Sequence, residues 1–265
     1  MNVIAVTQKG LNKTENEDRV IVGKTIVAGG TLFSEIENGI IAVADGVGGN
    51  NAGAIASHFV ANKVCYLKKI SVEQLKAIND ELISVSDSVE WQKGMATTLS
   101  GICYAEGNLQ LFSIGNTRVY LFQSRKYLKQ LTTDDTTLNY LLATGQLSVE
   151  DVNSFERKNE ITACFGNGSA DLFKVKISYI EPLLAPIMIT SDGVHDYLNV
   201  DEMEDIIEQN GFTEVSCIEL IKAARNNGSV DDASVVLVNP ITDHIGVRQC
   251  VQQRACNPID GNPVK

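Results

Sequence analysis

The spacing of apolar and polar positions divides the chain into short strands and a few helices. Val3 to Thr7 is apolar and β-branched and predicts a strand, as do Ile21 to Val27 and Gly39 to Ala44. Gly39-Ile40-Ile41-Ala42-Val43-Ala44 is apolar without a break, so both of its faces should be buried. It is expected to end in a glycine-rich loop, Asp45-Gly46-Val47-Gly48-Gly49-Asn50-Asn51. Ala52 to Tyr66 then places Ala52, Ile55, Ala56, Phe59 and Val60 on one helical face. A second helix is predicted over Val72 to Ser84, with Ser71 as N-cap and Gln74 completing a capping box.

From Leu99 onward the pattern changes. Leu99 to Tyr104, Leu109 to Ile114, Arg118 to Gln123 and Tyr127 to Leu131 are strand-like and separated by short turns, which reads as an antiparallel meander. Thr136 to Thr144 predicts a helix closed by Gly145. Asp171 to Tyr179 and Pro186 to Thr190 predict strands, the second running into a loop at Ser191-Asp192-Gly193-Val194. Helices are predicted over Val200 to Gln209 and Thr213 to Asn226, and a last strand over Ala233 to Val238. Antiparallel strands with helix pairs between them imply an α+β fold of two packed sheets flanked by helices. The pattern fades after Pro240. Residues 1–240 are therefore read as one domain, and residues 241–265 as a tail that is either mobile or docked.

Composition narrows the function classes. The 265 residues carry 22 Lys plus Arg against 33 Asp plus Glu, a formal net charge of −11. That balance argues against a protein that tracks nucleic-acid backbones or binds anionic membranes, and it suits carboxylate metal sites. No apolar run is long enough to span a membrane, and the N-terminus lacks the basic start of a secretory signal. Cys65, Cys103, Cys164, Cys217, Cys250 and Cys256 are scattered without a C-x-x-C pair, so zinc spacing is absent and free thiols in a reducing cytoplasm are expected.

The acidic clusters are the chemistry-bearing feature. Asn16-Glu17-Asp18, Asp45-Gly46, Ser191-Asp192-Gly193-Val194 and Asp231-Asp232 each flank an expected strand. Any one of them alone reads as a turn or a solvated loop. Carboxylates converging on one point repel unless cations neutralise them, and all-oxygen donors suit Mg²⁺ or Mn²⁺.

In order and spacing these segments resemble the PP2C family of metal-dependent protein phosphatases, in particular its bacterial branch. The resemblance runs through Thr7 to Asp18, Ala42 to Gly49, Gly94-Met95-Ala96-Thr97-Thr98, Gly115-Asn116-Thr117-Arg118, Leu131 to Thr136, Ser191 to Val194 and Asp231-Asp232-Ala233-Ser234. It implies a four-layer α-β-β-α sandwich with a two-ion Mn²⁺ or Mg²⁺ centre at one end. It implies that Asp45 bridges both ions, that Asp192 and Asp231 complete one shell, and that the Gly46 carbonyl with Glu17 and Asp18 serves the other. The implied activity is hydrolysis of phosphoserine and phosphothreonine on proteins by a metal-bridged hydroxide, opposing a serine/threonine kinase. No cysteine carries the C-x₅-R pattern of a thiol phosphatase.

Two positions depart from the family pattern. Lys13 stands where an arginine usually clamps the substrate phosphate, which keeps the charge and loses the bidentate fork. Asn116 stands at an aspartate associated with a third metal, which puts that site in doubt. Val47 replaces a histidine common in animal members. His195 lies beside the Asp192 segment, a weak reason by itself to assign it a role. Two alternatives remain open at this point: a catalytically weak module that recognises phosphoproteins, and a phosphatase for non-protein esters.

Overall fold

The computed structural model describes residues 1–47, 52–166, 173–180 and 185–240. In chain order the strands are β1 (Asn2–Gln8), β2 (Asp18–Val22), β3 (Thr25–Val27), β4 (Gly30–Glu35), β5 (Gly39–Val47), β6 (Ala96–Thr97), β7 (Leu99–Ala105), β8 (Asn108–Ile114), β9 (Arg118–Gln123), β10 (Tyr127–Gln130), β11 (Lys176–Ile180), β12 (Ile187–Thr190) and β13 (Ala233–Asn239). The helices are α1 (Ala52–Val64), α2 (Val72–Ser88), α3 (Thr137–Ala143), α4 (Asp192–His195), α5 (Val200–Asn210) and α6 (Glu214–Asn226).

The strands form two antiparallel sheets. One has the order β10-β9-β12-β13-β1-β4; the other runs β11-β8-β7-β5-β2-β3, with β6 added beside β5. Period-2 alternation sorts the side chains of the central strands into separate layers. On β5, Ile40, Ala42 and Ala44 pack against α1 and α2, through Ala56, Val60, Leu75 and Leu82. Ile41 and Val43 face the other way and meet Val3, Ala5, Ile187, Ile189, Val236 and Val238 between the sheets. On the far side, Met188, Val235 and Leu237 pack on Met203 and Ile207 of α5 and Leu220 and Ile221 of α6. Three apolar layers between four layers of elements make the expected α-β-β-α sandwich.

Local signals account for the helix starts. Ser71 caps α2 by accepting from the Gln74 amide at 3.3 Å, and Thr136 caps α3 in the same way through Asn139. Asn199 and Glu202 form a reciprocal capping box on α5.

Several elements differ from the sequence expectation. Ile21 to Val27 is two strands, because Gly23 and Lys24 form a turn and β3 folds back on β2. The edge strand β4 pairs with β1 and was not expected, since its side chains are half-exposed and lack a clean apolar face. The meander is two hairpins in different sheets: β8 pairs with β7, β9 pairs with β10, and Gly115-Asn116-Thr117 carries the chain across. Asp45, Gly46 and Val47 continue β5, because Gly46 and Val47 pair with Thr97 and Ala96. A single helical turn at Asp192–His195 stands where a loop was expected, with Ser191 at its N-cap position and no capping bond from that side chain. Gly48 to Asn51, Asp171 and Leu172, and the 241–265 tail with His244, Cys250 and Cys256 lie outside the described residues. Cys65, Cys103 and Cys217 are buried free thiols, and Cys164 is a partly buried one. Among the described residues no helix is long and apolar enough to cross a membrane.

The close approach of β7 to β5 depends on Gly101. A Cβ there would lie 2.3 Å from the Ile41 carbonyl oxygen and 2.5 Å from the Ala42 Cβ, atoms of a neighbouring strand that cannot yield. Gly101→Ala should therefore destabilise the fold by about 1–3 kcal/mol in urea denaturation. Gly29→Ala, which meets nothing within 4 Å, should change it by less than about 0.5 kcal/mol. Equal effects of the two substitutions would refute this packing.

Candidate metal centre

The alternation that fills the intersheet layer also places polar groups at one end of it. Asp18 shares a face of β2 with Val20 and Val22, and Asp45 shares a face of β5 with Ile41 and Val43. The two aspartates are Cα partners across the β2–β5 ladder, so their carboxylates stand side by side. From the opposite sheet, Thr7 ends the β1 row, and Ser234 begins the β13 row that continues in Val236 and Val238. The apolar layer thus ends in a polar cap facing the N-terminus of α4.

Asp18 is fully buried. Its Oδ2 accepts from the Ser191 hydroxyl at 2.8 Å and the Ser234 hydroxyl at 2.6 Å, while its Oδ1 has no hydrogen-bond partner among the described residues. Burial raises its pKa from 3.8 to about 7; the two serine hydrogen bonds oppose that rise, and the charges of Asp232 and Asp192 add to it. Asp45 is pushed well above the ordinary carboxylate range, first by burial and then by the charges of Asp192, Asp18 and Asp231. Asp45 and Asp192 come within hydrogen-bonding reach of one another. Asp192 is raised by burial and by Asp231, against a 3.0 Å hydrogen bond donated by the Asn116 amide. The Asn116 Oδ1 is buried and has no hydrogen-bond partner among the described residues.

Glu17 and Asp231 stand on the other side of the cluster, joined through Lys13. The Lys13 Nζ lies 2.9 Å from Glu17 Oε2, 2.6 Å from Asp231 Oδ1 and 3.1 Å from Asp232 Oδ2. Gly46 lets three segments meet here: a Cβ on it would be 2.3 Å from the Gly53 carbonyl oxygen and 2.8 Å from that of Glu17. The Gly46 amide donates to the Glu17 carbonyl at 3.2 Å, and the Ser57 hydroxyl of α1 donates to the same oxygen at 2.6 Å.

The structure thus gathers Asp18, Asp45 and Asp192 with Asp231, and places Lys13 between Glu17 and Asp231. Among the described residues no three acidic, histidine or cysteine side chains form a ready-made ligand shell. The candidate oxygens are spread around the Lys13 ammonium and the Asn116 amide. The donor set still fits hard divalent cations: it is all oxygen, and it includes a buried carboxylate oxygen that no group among the described residues satisfies.

Several contributors lay outside the sequence expectation. Asp232 is buried and ties the Lys13 loop to β13, accepting from the Gly10 amide at 2.7 Å and the Glu17 amide at 2.8 Å. Ser191 and Ser234 orient Asp18. The signal that could have found them is register, since each extends an alternating apolar row into the cap. Thr98 and Thr117 hydroxyls are 2.7 Å apart, and Thr98 also accepts from the Asp45 amide. The crossing turn is further fixed by Arg118, which holds Asp134 with three bonds of 2.6–3.1 Å, and by Asp135, which accepts from the Gly115 amide.

His195 is fully buried, bonded through Nδ1 to the Thr190 hydroxyl at 2.8 Å. Burial holds it well below its ordinary pKa, so it is neutral and packs rather than titrates. A polar cavity of about 400 Å³ opens beside Asn116, bordered by Arg118, Asp134, Asn139, Asn159 and Asp196. A larger one, of about 730 Å³, lies at the far end of the same strands, where β1 starts and β13 ends, and contains none of the carboxylates described above.

No family model matches the chain. The serine/threonine phosphatase stp of Listeria monocytogenes serotype 4b is 28% identical over 248 residues, covering 88% of this chain and 93% of that protein. The crystal structure of the Mycobacterium tuberculosis serine/threonine phosphatase PstP/Ppp superposes with a TM-score of 0.73 at 25% identity, covering 89% of this chain and 98% of that one. A structure of the catalytic domain of the phosphatase PstP in complex with two manganese ions covers the same shares, at 25% identity and a TM-score of 0.67. In sequence and in fold alike, the chain is similar to bacterial serine/threonine phosphatases.

Proposed function

We propose that the chain hydrolyses phosphoserine and phosphothreonine on proteins, with two divalent cations, Mn²⁺ or Mg²⁺, held by its carboxylate cluster. The observation that carries this reading is the convergence of Asp18, Asp45, Asp192 and Asp231 from four separated segments onto one polar cap. Convergence of that kind raises every buried member toward its uncharged form, which is unfavourable at neutral pH unless cations are present. The relatives named above supply the reaction class, and the PstP complex with two manganese ions supplies the cation count.

Asp45, Asp192, Asp231, Glu17, Asp18 and the Gly46 carbonyl are the proposed ligands. Bound divalent ions would neutralise the phosphate ester's oxygens and acidify a water for in-line attack. The chain's own residues do the positioning. Ser191 and Ser234 hold one Asp18 oxygen so that the other faces the cluster. Asn116 turns Asp192, and Thr98 with Thr97 fixes the backbone of Asp45. Lys13 is the proposed ligand of the substrate phosphate. With Asn116 an uncharged amide, a third cation is not part of this proposal. The substrates are phosphorylated proteins, and the implied counterpart is a serine/threonine kinase in the cytoplasm. A recognition module without catalysis would be expected to have lost one of the carboxylates, and all are in place.

Phosphate release from a phosphothreonine peptide should require added Mn²⁺ and stop in chelator. Asp192→Asn and Asp45→Asn should each lower kcat by more than the about 10–100-fold that loss of an outer hydrogen-bond partner costs. Near-normal turnover by either variant would show that the reaction does not use this cluster.

A pH test follows from the buried carboxyls. Asp18 titrates near 7 in the fold and at 3.8 in the unfolded chain, so the fold binds its proton more tightly. Its contribution is complete below 3.8 and is lost as pH rises to about 7. In chelator, unfolding free energy should therefore fall between pH 4 and 7, and Asp18→Asn should flatten that slope. A slope identical in the two proteins would remove Asp18 as its source.

A further inference from the structure

Lys13 and a divalent ion compete for the same oxygens. The ammonium is within 3.1 Å of Glu17, Asp231 and Asp232, and two of those three are proposed ligands. A compact, donor-only point charge is the side chain that most resembles a metal ion in this setting; the broad planar fork of arginine is not. An oxygen donating a lone pair to the ammonium at 2.6 or 2.9 Å cannot offer it unchanged to a cation.

The position of Lys13 is built by its loop. The Gly10 amide donates to Asp232 at 2.7 Å and the Leu11 amide to the Val230 carbonyl at 3.0 Å. A Cβ on Gly10 would lie 2.5 Å from that same carbonyl oxygen, so the loop backbone is pressed against the start of β13. The Lys9 ammonium holds the Lys13 carbonyl at 2.6 Å. With the backbone clamped, only the four-carbon side chain is free to move.

We infer that Lys13 is a tethered counter-ion: its ammonium holds Glu17 and Asp231 until a divalent cation takes their oxygens, and the displaced ammonium then becomes available to the substrate phosphate. This rests on the two-ion reading above and adds to it an order of events. The ion must arrive before the phosphate ligand is released, so substrate binding is conditional on the loaded centre. The ammonium donates to Glu17 and Asp231 and lies 3.1 Å from Asp232, and these contacts hold it as the ammonium ion while they last. A protonated amine is a poor nucleophile, which gives the exchange a chemical readout.

The test is amine labelling of the full chain with an acetylating reagent, read by mass spectrometry, in chelator and in Mn²⁺. Exposed Lys222 serves as the internal reference. Lys13 should label slowly in chelator and several-fold faster relative to Lys222 once Mn²⁺ is bound. Calorimetry supplies the second arm: Lys13→Gln should tighten the weaker Mn²⁺ step by about tenfold or more, because a positive charge is removed from beside that ion. Lys13→Gln should also melt lower than the unsubstituted chain in chelator, with the gap closing at saturating Mn²⁺. Mn²⁺ binding by the unsubstituted chain with an unchanged Lys13 labelling ratio would overturn the exchange and leave the two-ion centre standing. No heat with Mn²⁺ at all would overturn both. The labelling arm uses the natural sequence, so it decides the matter even if Lys13→Gln fails to fold.

Discussion

Repulsion among carboxylates is the constraint around which this end of the molecule is built. Asp18 and Asp45 face each other across one ladder, Asp192 reaches over from the opposite sheet, and Asp231 closes the ring. No folded chain gathers such groups without compensation. Each visible compensation has a distinct source: hydroxyl donors from Ser191 and Ser234, an amide from Asn116 and an ammonium from Lys13. These are all provisions for negative charge, and a phosphate ester adds more of it. The sandwich supplies the rigidity that keeps the oxygens from moving apart, because Asp18 and Asp45 lie in strands locked in an apolar layer and Asp192 and Asp231 lie within two residues of such strands.

That dependence explains which parts were legible in the sequence. The buried strands were, because β5 and β13 are apolar runs and their pattern survives folding unchanged. Gly115-Asn116-Thr117 was legible as a turn but not as the crossing between sheets. A hairpin turn and a sheet-to-sheet turn use the same residues, and the choice is made by Asp135 and Arg118 gripping from a distance. β4 was hidden because an edge strand needs only one pairing partner and no apolar face. In the site, Asp45 and Asp192 were marked by their motifs and by the strands before them. The PP2C-like order of those motifs gave the architecture that strand and helix counting left general. Asp232 lay in the same closing motif as Asp231, but nothing there set its role apart from that of its neighbour. Its work, bonding the amides of Gly10 and Glu17 from more than two hundred positions away, exists only after β1 and β13 have paired.

The two departures from the family pattern act on the same balance. Asparagine at 116 leaves a negative charge out of the cluster and donates a hydrogen to Asp192 instead. Lysine at 13 replaces a delocalised cation by a compact one that fits between Glu17 and Asp231. An aspartate at 116 would add a buried charge beside Asp192, whose carboxyl is already shifted upward by burial and by Asp231. An arginine at 13 would present a fork suited to phosphate but too broad to sit where the ammonium sits. Both residues thus lower the electrostatic cost of the cluster before cations arrive. On the proposed reading, the chemistry that stabilises the cluster without cations would be undone when they bind, and for Lys13 the undoing would free the group assigned to the substrate phosphate.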